Sequence, residues 1–194
     1  MTTTLAVPPE APTTRIDNRA TYIGFGLAYV VGHGSAALSR GTDPLVDLPQ
    51  WLPTALLFIG LAAGTVCATV AALRAQRDAE GGELLSARLL GFAWIVGFGA
   101  LFLAITGLTS TVDAPDLANL LWPAGSGLIV GLIYVAEGAH RRNVLHYSLG
   151  TWLALISTSA FFFSAPVFFW ILAVLGGGGY AVATVLERRR LACA

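Results

Sequence analysis

Residues 132–152 read "LIYVAEGAHRRNVLHYSLGTW". Two long apolar stretches meet here across a short polar turn. The upstream stretch runs back to residue 117 and the downstream one forward to 163, so each is about 20 residues long, the length that crosses a hydrocarbon core. Backbone groups cannot be left unpaired in lipid, so both stretches are read as helices, and the segment as the turn of a helical hairpin at a membrane edge. The turn is crowded with chemistry: Glu137, His140 and His146, Tyr134 and Tyr147, Arg141 and Arg142. It is either a charged loop or the mouth of a site.

The same pattern extends along the chain. Apolar runs cover 20–38, 51–73, 88–109, 117–139, 144–163 and 166–187. Only 11% of the 194 residues are charged and 56% are hydrophobic, against roughly 25% charged in a soluble domain. Strands of a membrane barrel would alternate rather than form unbroken apolar runs. The expected fold is all-α: a polytopic membrane bundle of six transmembrane helices in one domain, 20–187. Residues 1–19, polar and proline-containing, read as a disordered cytoplasmic tail, and 188–194 as a basic cytoplasmic tail. A signal peptide's charged and apolar regions are missing from the first residues.

Orientation follows from arginine, since the chain has no lysine. Arg15 and Arg19 precede span 1; Arg74, Arg77 and Arg88 flank the second connection; Arg141 and Arg142 lie in the fourth; Arg188, Arg189 and Arg190 follow span 6. Of the arginines, Arg40 alone falls in the other loops, beside Asp43, Asp47, Asp113 and Asp116. The positive-inside rule places both termini in the cytoplasm of a multi-pass protein of the cell membrane. "AYVVGHG" in span 1 resembles "AWIVGFG" in span 3, a pattern that three successive helical hairpins would produce and that shared Gly/Ala composition would also produce. Gly24, Ala28 and Gly32, and likewise Gly127 and Gly131, have the small-xxx-small spacing of close helix contacts. "GGGGY" (176–180) marks close packing, a kink or a loosened span. Cys67 and Cys193 are far apart, and no disulfide is expected.

Polar groups at depth are the functional candidates. Glu137 lies one turn inside span 4, with Tyr134 three residues earlier on the same face. It is either an interfacial partner of Arg141 or an acid. His33 continues a stripe of Tyr22, Gly26 and Tyr29; it is either a buried structural imidazole or a functional group. Counting about 1.5 Å per residue from the cytoplasmic ends, Tyr29 and Trp152 come out about 13 Å deep, and Tyr180, Trp94 and Tyr134 about 8–10 Å. Three of these aromatics, Trp94, Trp152 and Tyr29, are too deep for an interfacial belt. Turned inward, the group forms an aromatic chamber open to the cytoplasm, with Glu137 as catalytic acid. Tyr29, His33, Trp94, Tyr134, His146, Trp152 and Tyr180 are then the substrate-binding candidates. "AGSGLIVG" (124–131) departs from the serine motif of rhomboid proteases, because Ala124 replaces a glycine and span 6 offers no histidine base. The histidines lack zinc-ligand spacing and no DDxxD cluster is present, so neither metal nor cofactor is expected. Nor is there a basic groove for nucleic acid.

In size, all-helical build and acid-plus-aromatic content the chain resembles the small bacterial integral-membrane terpene cyclases. The resemblance implies acid-initiated cyclisation of a prenylated small molecule, with carbocations held against aromatic faces. The same chamber suits a second class of function, a transporter or channel: a proton-coupled carrier of lipophilic cations, an ABC-type permease subunit docking through 74–88, or a small amide or urea channel. The expected partners are membrane lipid and a hydrophobic small molecule, with a homo-oligomer left open.

Overall fold

The computed structural model describes residues 16–77, 79–114 and 117–192. The expected tail up to residue 15, and Cys193 with its expected lack of a disulfide, lie outside these residues. Every regular element among them is helical. Six rods follow in chain order. α1 covers residues 19–39 and is built from α-helical Arg19–Leu27, π-helical Ala28–His33 and α-helical Gly34–Ser39. α2 is Leu52–Gln76, α3 Gly81–Thr111, α4 Leu117–His140 and α5 Val144–Ser159, closed by a 3₁₀ turn at Ala160–Phe162. α6, Val167–Ala192, again contains a π-helical segment, Ile171–Gly176.

Four of the rods, α2, α3, α4 and α6, are long and apolar enough to cross a membrane, at 25, 31, 24 and 26 residues with mean hydropathy of 1.5 to 2.2. α5 has 16 α-helical residues, fewer than the roughly 20 that cross a hydrocarbon core at right angles. Two helix ends depart furthest from the apolar runs. α3 begins seven residues before the expected 88, because "GGELLSA" carries helix-forming Glu, Leu and Ala and follows the extended residue Glu80. Residues 188–192, expected as tail, continue α6. Ile16 and Asn18, expected as disordered tail, are tied to α6 by hydrogen bonds described below.

α1, α4, α5 and α6 form the core, where Tyr22, Tyr180, Phe168, Leu153 and Leu172 are fully buried. α2 packs on α1 and α3 on α4. Both presented their apolar sides outward, with Phe58, Ile59, Phe92, Ile95 and Leu103 more than half exposed, as a lipid-facing helix does. The α4–α5 contact is the closest. A Cβ on Gly131 would lie 2.6 Å from the Ala154 nitrogen, and one on Gly150 would lie 2.5 Å from the Gly131 oxygen. Gly24 meets Gly64 across α1–α2 in the same manner. Rods 1 and 2, 3 and 4, and 5 and 6 touch, but the most extensive contact joins α4 to α5, across two of the expected hairpins, and the likeness of "AYVVGHG" to "AWIVGFG" does not extend to shape. The first is mostly π-helical and the second α-helical. The counterpart of the α1 π turn is the one in α6, against which it packs.

Candidate functional site

The turn between α4 and α5 sets the site's geometry. α4 ends where Arg142 takes a left-handed conformation, φ 51°. The Asn143 amide then donates to the Gly138 carbonyl at 2.8 Å and the Arg142 amide to Ala139 at 3.2 Å, the paired bonds of a Schellman stop. Asn143 starts the next helix at once: its side-chain oxygen accepts from the His146 amide at 3.1 Å. The chain therefore reverses within three residues, and His146 on α5 comes to lie beside Glu137 on α4.

Glu137 accepts three contacts. The His146 Nε2 lies 3.3 Å from its Oε2, the Trp94 indole nitrogen 3.2 Å from its Oε1, and the Arg141 guanidinium 3.9 Å from its Oε2. The opposite imidazole nitrogen, Nδ1, lies 2.8 Å from the Tyr22 hydroxyl. With Nε2 carrying the proton, this is a chain in which Tyr22 donates to His146 and His146 to Glu137. Tyr134 caps the arrangement, its ring centroid 4.1 Å from that of His146 and 6.2 Å from that of Trp94.

A cavity of about 350 Å³ opens over these groups, between α2 and α3. Trp94, Tyr134, Glu137 and His146 line it, with Arg141, Asn18 and Gln76 towards its mouth. Its far wall is a stripe on α2: Thr65, Ala68, Thr69, Ala72 and Gln76. From Gln76 to Thr65 the helix rises roughly 16 Å, about half a hydrocarbon core.

Of the residues singled out in the sequence, the cavity gathers Glu137, Trp94, Tyr134 and His146. Tyr180, Tyr29 and His33 lie behind it in the core, buried, and none of them lines it. His33 sits edge-on to Tyr29 and stacked on Phe169. Trp152 faces outward, 43% exposed, its indole donating to the Leu175 carbonyl at 2.8 Å. The expected chamber thus separates into an open cavity and a closed aromatic core, because α1 and α6 meet at Tyr29 and Gly176. "GGGGY" is close packing: Gly176 lies against Tyr29, Gly177 against Val30 and Gly179 against Trp152. Among the described residues no cluster of His, Cys, Asp and Glu is arranged to hold a metal ion.

Three features escaped the sequence. The α2 wall was legible as polar or small residues at helical spacing within an apolar run. Tyr22 belonged to a recognised stripe, but its partner on α5 was not predictable. Glu187 is fully buried and accepts from the Asn18 amide (3.1 Å), the Asn18 side chain (3.3 Å) and Arg190 (2.7 and 2.8 Å). Arg190 also donates to the Ile16 carbonyl at 2.8 Å. This clasp fixes residues 16–18 at the cavity mouth; its signal was only the i,i+3 spacing of Glu187 and Arg190. Compared with protein-family models, curated proteins and solved structures, the chain matches none of them.

Proposed function

We propose that this is a multi-pass membrane protein, with all six rods spanning and both termini cytoplasmic, that receives a lipophilic organic cation in the α2–α3 cavity and exchanges it against protons at the Glu137–His146 pair. The observation that carries the reading is the setting of Glu137. A carboxylate that accepts from an imidazole, an indole and a guanidinium is stabilised as the anion. It stands on the wall of a mostly apolar cavity beside Trp94 and Tyr134, whose π faces attract cations most strongly where water is excluded. Arg141 competes weakly, at 3.9 Å and on the rim. His146, joined to the same carboxylate through its Nε2, is the group placed to hand it a proton. The arginine asymmetry supports the orientation, which puts the cavity mouth on the cytoplasmic side.

The test is binding of ethidium to the purified protein in detergent, followed by fluorescence. Glu137→Gln removes the charge and keeps the shape, and is expected to weaken binding at least about 10-fold. Equal binding by wild type and Glu137→Gln overturns the reading.

A second reading, acid-initiated cyclisation of a prenylated substrate, is favoured by the placement of the Trp94 and Tyr134 rings beside an acid–base pair. In that reading the donor is the Nε2–H of His146, which lies 3.3 Å from Glu137. Turnover of a farnesylated aromatic epoxide, lost in His146→Ala, would establish it in place of cation exchange.

A further inference from the structure

We propose that the closed core behind the cavity is a proton pathway, running from Glu137 along a file of imidazoles and phenols to His33 near the opposite end of the bundle. The proposal rests on the membrane-spanning reading above and deepens it, by supplying a route for the protons that the cavity exchanges.

The file runs through two polar contacts and then through ring-to-ring contacts. From Glu137 it passes to His146 and to the Tyr22 hydroxyl through the contacts of 3.3 and 2.8 Å already described. The Tyr22 ring lies 6.4 Å from that of Tyr180, and Tyr134 packs on His146. Tyr180 meets Tyr29 edge-on at 5.4 Å, and the Tyr29 hydroxyl and Ser157 both lie against Gly127. Tyr29 in turn meets His33 at 4.9 Å. Around His33 stand Tyr29 from α1 and Phe169 from α6, and the Arg40 guanidinium lies 5.7 Å over the Phe169 ring.

What distinguishes this file from ordinary aromatic packing is its unpaired oxygen atoms. The hydroxyls of Tyr134, Tyr180 and Ser157 are fully buried and reach no protein partner in hydrogen-bonding geometry. Phenylalanine and alanine would fill the same space without that cost. Three such groups in one core are the places where bridging water binds. The backbone around them is shaped for the rings. Gly127 leaves room for Ser157 and the Tyr29 hydroxyl, Gly176 for the Tyr29 ring, and Gly26 for Tyr180. The two π-helical segments, 28–33 and 171–176, flank the middle of the file; π turns inside α-helices occur frequently at functional sites.

The transfer leaves no charge behind. As His146 passes its Nε2 proton to the Glu137 carboxylate, its Nδ1 takes the proton of Tyr22. Tyr22 is refilled from the next hydroxyl or bridging water, and so on to His33, which is refilled from the far side. One proton enters at His33 and one arrives on Glu137.

Tyr180→Phe tests the pathway, since it removes one hydroxyl from the file, keeps the ring and lies outside the cavity lining. Purified wild type and variant are placed in liposomes under a potassium diffusion potential set with valinomycin, and internal acidification is followed with a pH-sensitive dye, with and without ethidium. Wild type is expected to acidify the lumen in one of these conditions, and Tyr180→Phe at least about 10-fold more slowly. Tyr147→Phe, an exposed tyrosine, should match wild type. Tyr180→Phe should also bind ethidium as wild type does, which separates failure of the pathway from failure of the cavity reading. Proton entry no faster than in protein-free liposomes, or undiminished entry in a folded Tyr180→Phe protein, overturns the proposal.

Discussion

Tyr22 and Glu137 illustrate how much a single side chain carries here. Tyr22 is the sole side-chain donor seen at His146 Nδ1, and both groups are buried. Tyr22→Phe keeps the ring stack and leaves that nitrogen unpaired, so it should cost about 1–3 kcal/mol. A lower melting temperature of the purified variant is the expected readout. An unchanged one would mean that the Tyr22–His146 bond is not made. Glu137→Asp draws the carboxylate back by one methylene, away from both Trp94 and His146. It should retain charge and part of the ethidium affinity, falling between wild type and Glu137→Gln. If affinity follows shape rather than charge, Gln will outperform Asp, and the cavity is not an anionic receptor.

At the scale of elements, the α4–α5 hairpin is the unit that makes the site. Asn143 caps α5 through the amide of His146 itself, so Asn143→Ala should remove about 1 kcal/mol of helix-capping energy and also free the imidazole from its position. Ethidium affinity should fall along with stability, although Asn143 does not line the cavity. Gly150 sits where α4 and α5 touch backbone to backbone. In Gly150→Val the new side chain meets the Gly131 carbonyl and the Tyr134 Cβ. Overpacking of that kind costs typically 1–3 kcal/mol, and here the backbone cannot yield without separating the helices. The expected result is a protein that expresses poorly or elutes as aggregate, whereas Gly99→Val on α3, where an added Cβ meets nothing within 4 Å, should behave as wild type.

For the whole molecule, the two ends of the described chain meet in the Asn18–Glu187–Arg190 clasp, beside the cavity mouth. Glu187→Ala leaves the Asn18 amide without its acceptor and Arg190 with the Ile16 carbonyl alone, and should cost about 1–3 kcal/mol. Because Ile16 and Asn18 form part of the cavity's lining, ethidium release should quicken as well; fluorescence dissociation rates measure this. Topology is the coarser test. Reporter fusions after Ala194 and within the 40–51 loop should report opposite sides, with the C-terminus cytoplasmic. A C-terminus on the outside would invert the cavity and the proton file together.

The sequence by itself determined that this chain is a set of long apolar helices, because run length and lack of charge reflect the solvent that each helix meets, which is a local property. It also marked Glu137, Tyr134, Trp94 and His146, since a carboxylate, an indole or an imidazole is out of place in an apolar run whatever surrounds it. What only the tertiary structure decided is which faces meet. Trp94 and Trp152 are alike in sequence terms, each an aromatic at depth, yet one donates to Glu137 and the other looks outward to donate to Leu175. The difference lies in helix rotation, set by contacts such as Gly131 with Gly150, between residues 19 apart in the chain. Tyr22 and His146 are 124 residues apart, Asn18 and Glu187 169; their pairing comes from the return of α1 against α5 and α6. The division of one expected chamber into an open cavity and a closed core has the same origin. The π turns and glycines that bring Tyr29 against Gly176 close the space between α1 and α6, and no periodicity within either helix announces that contact.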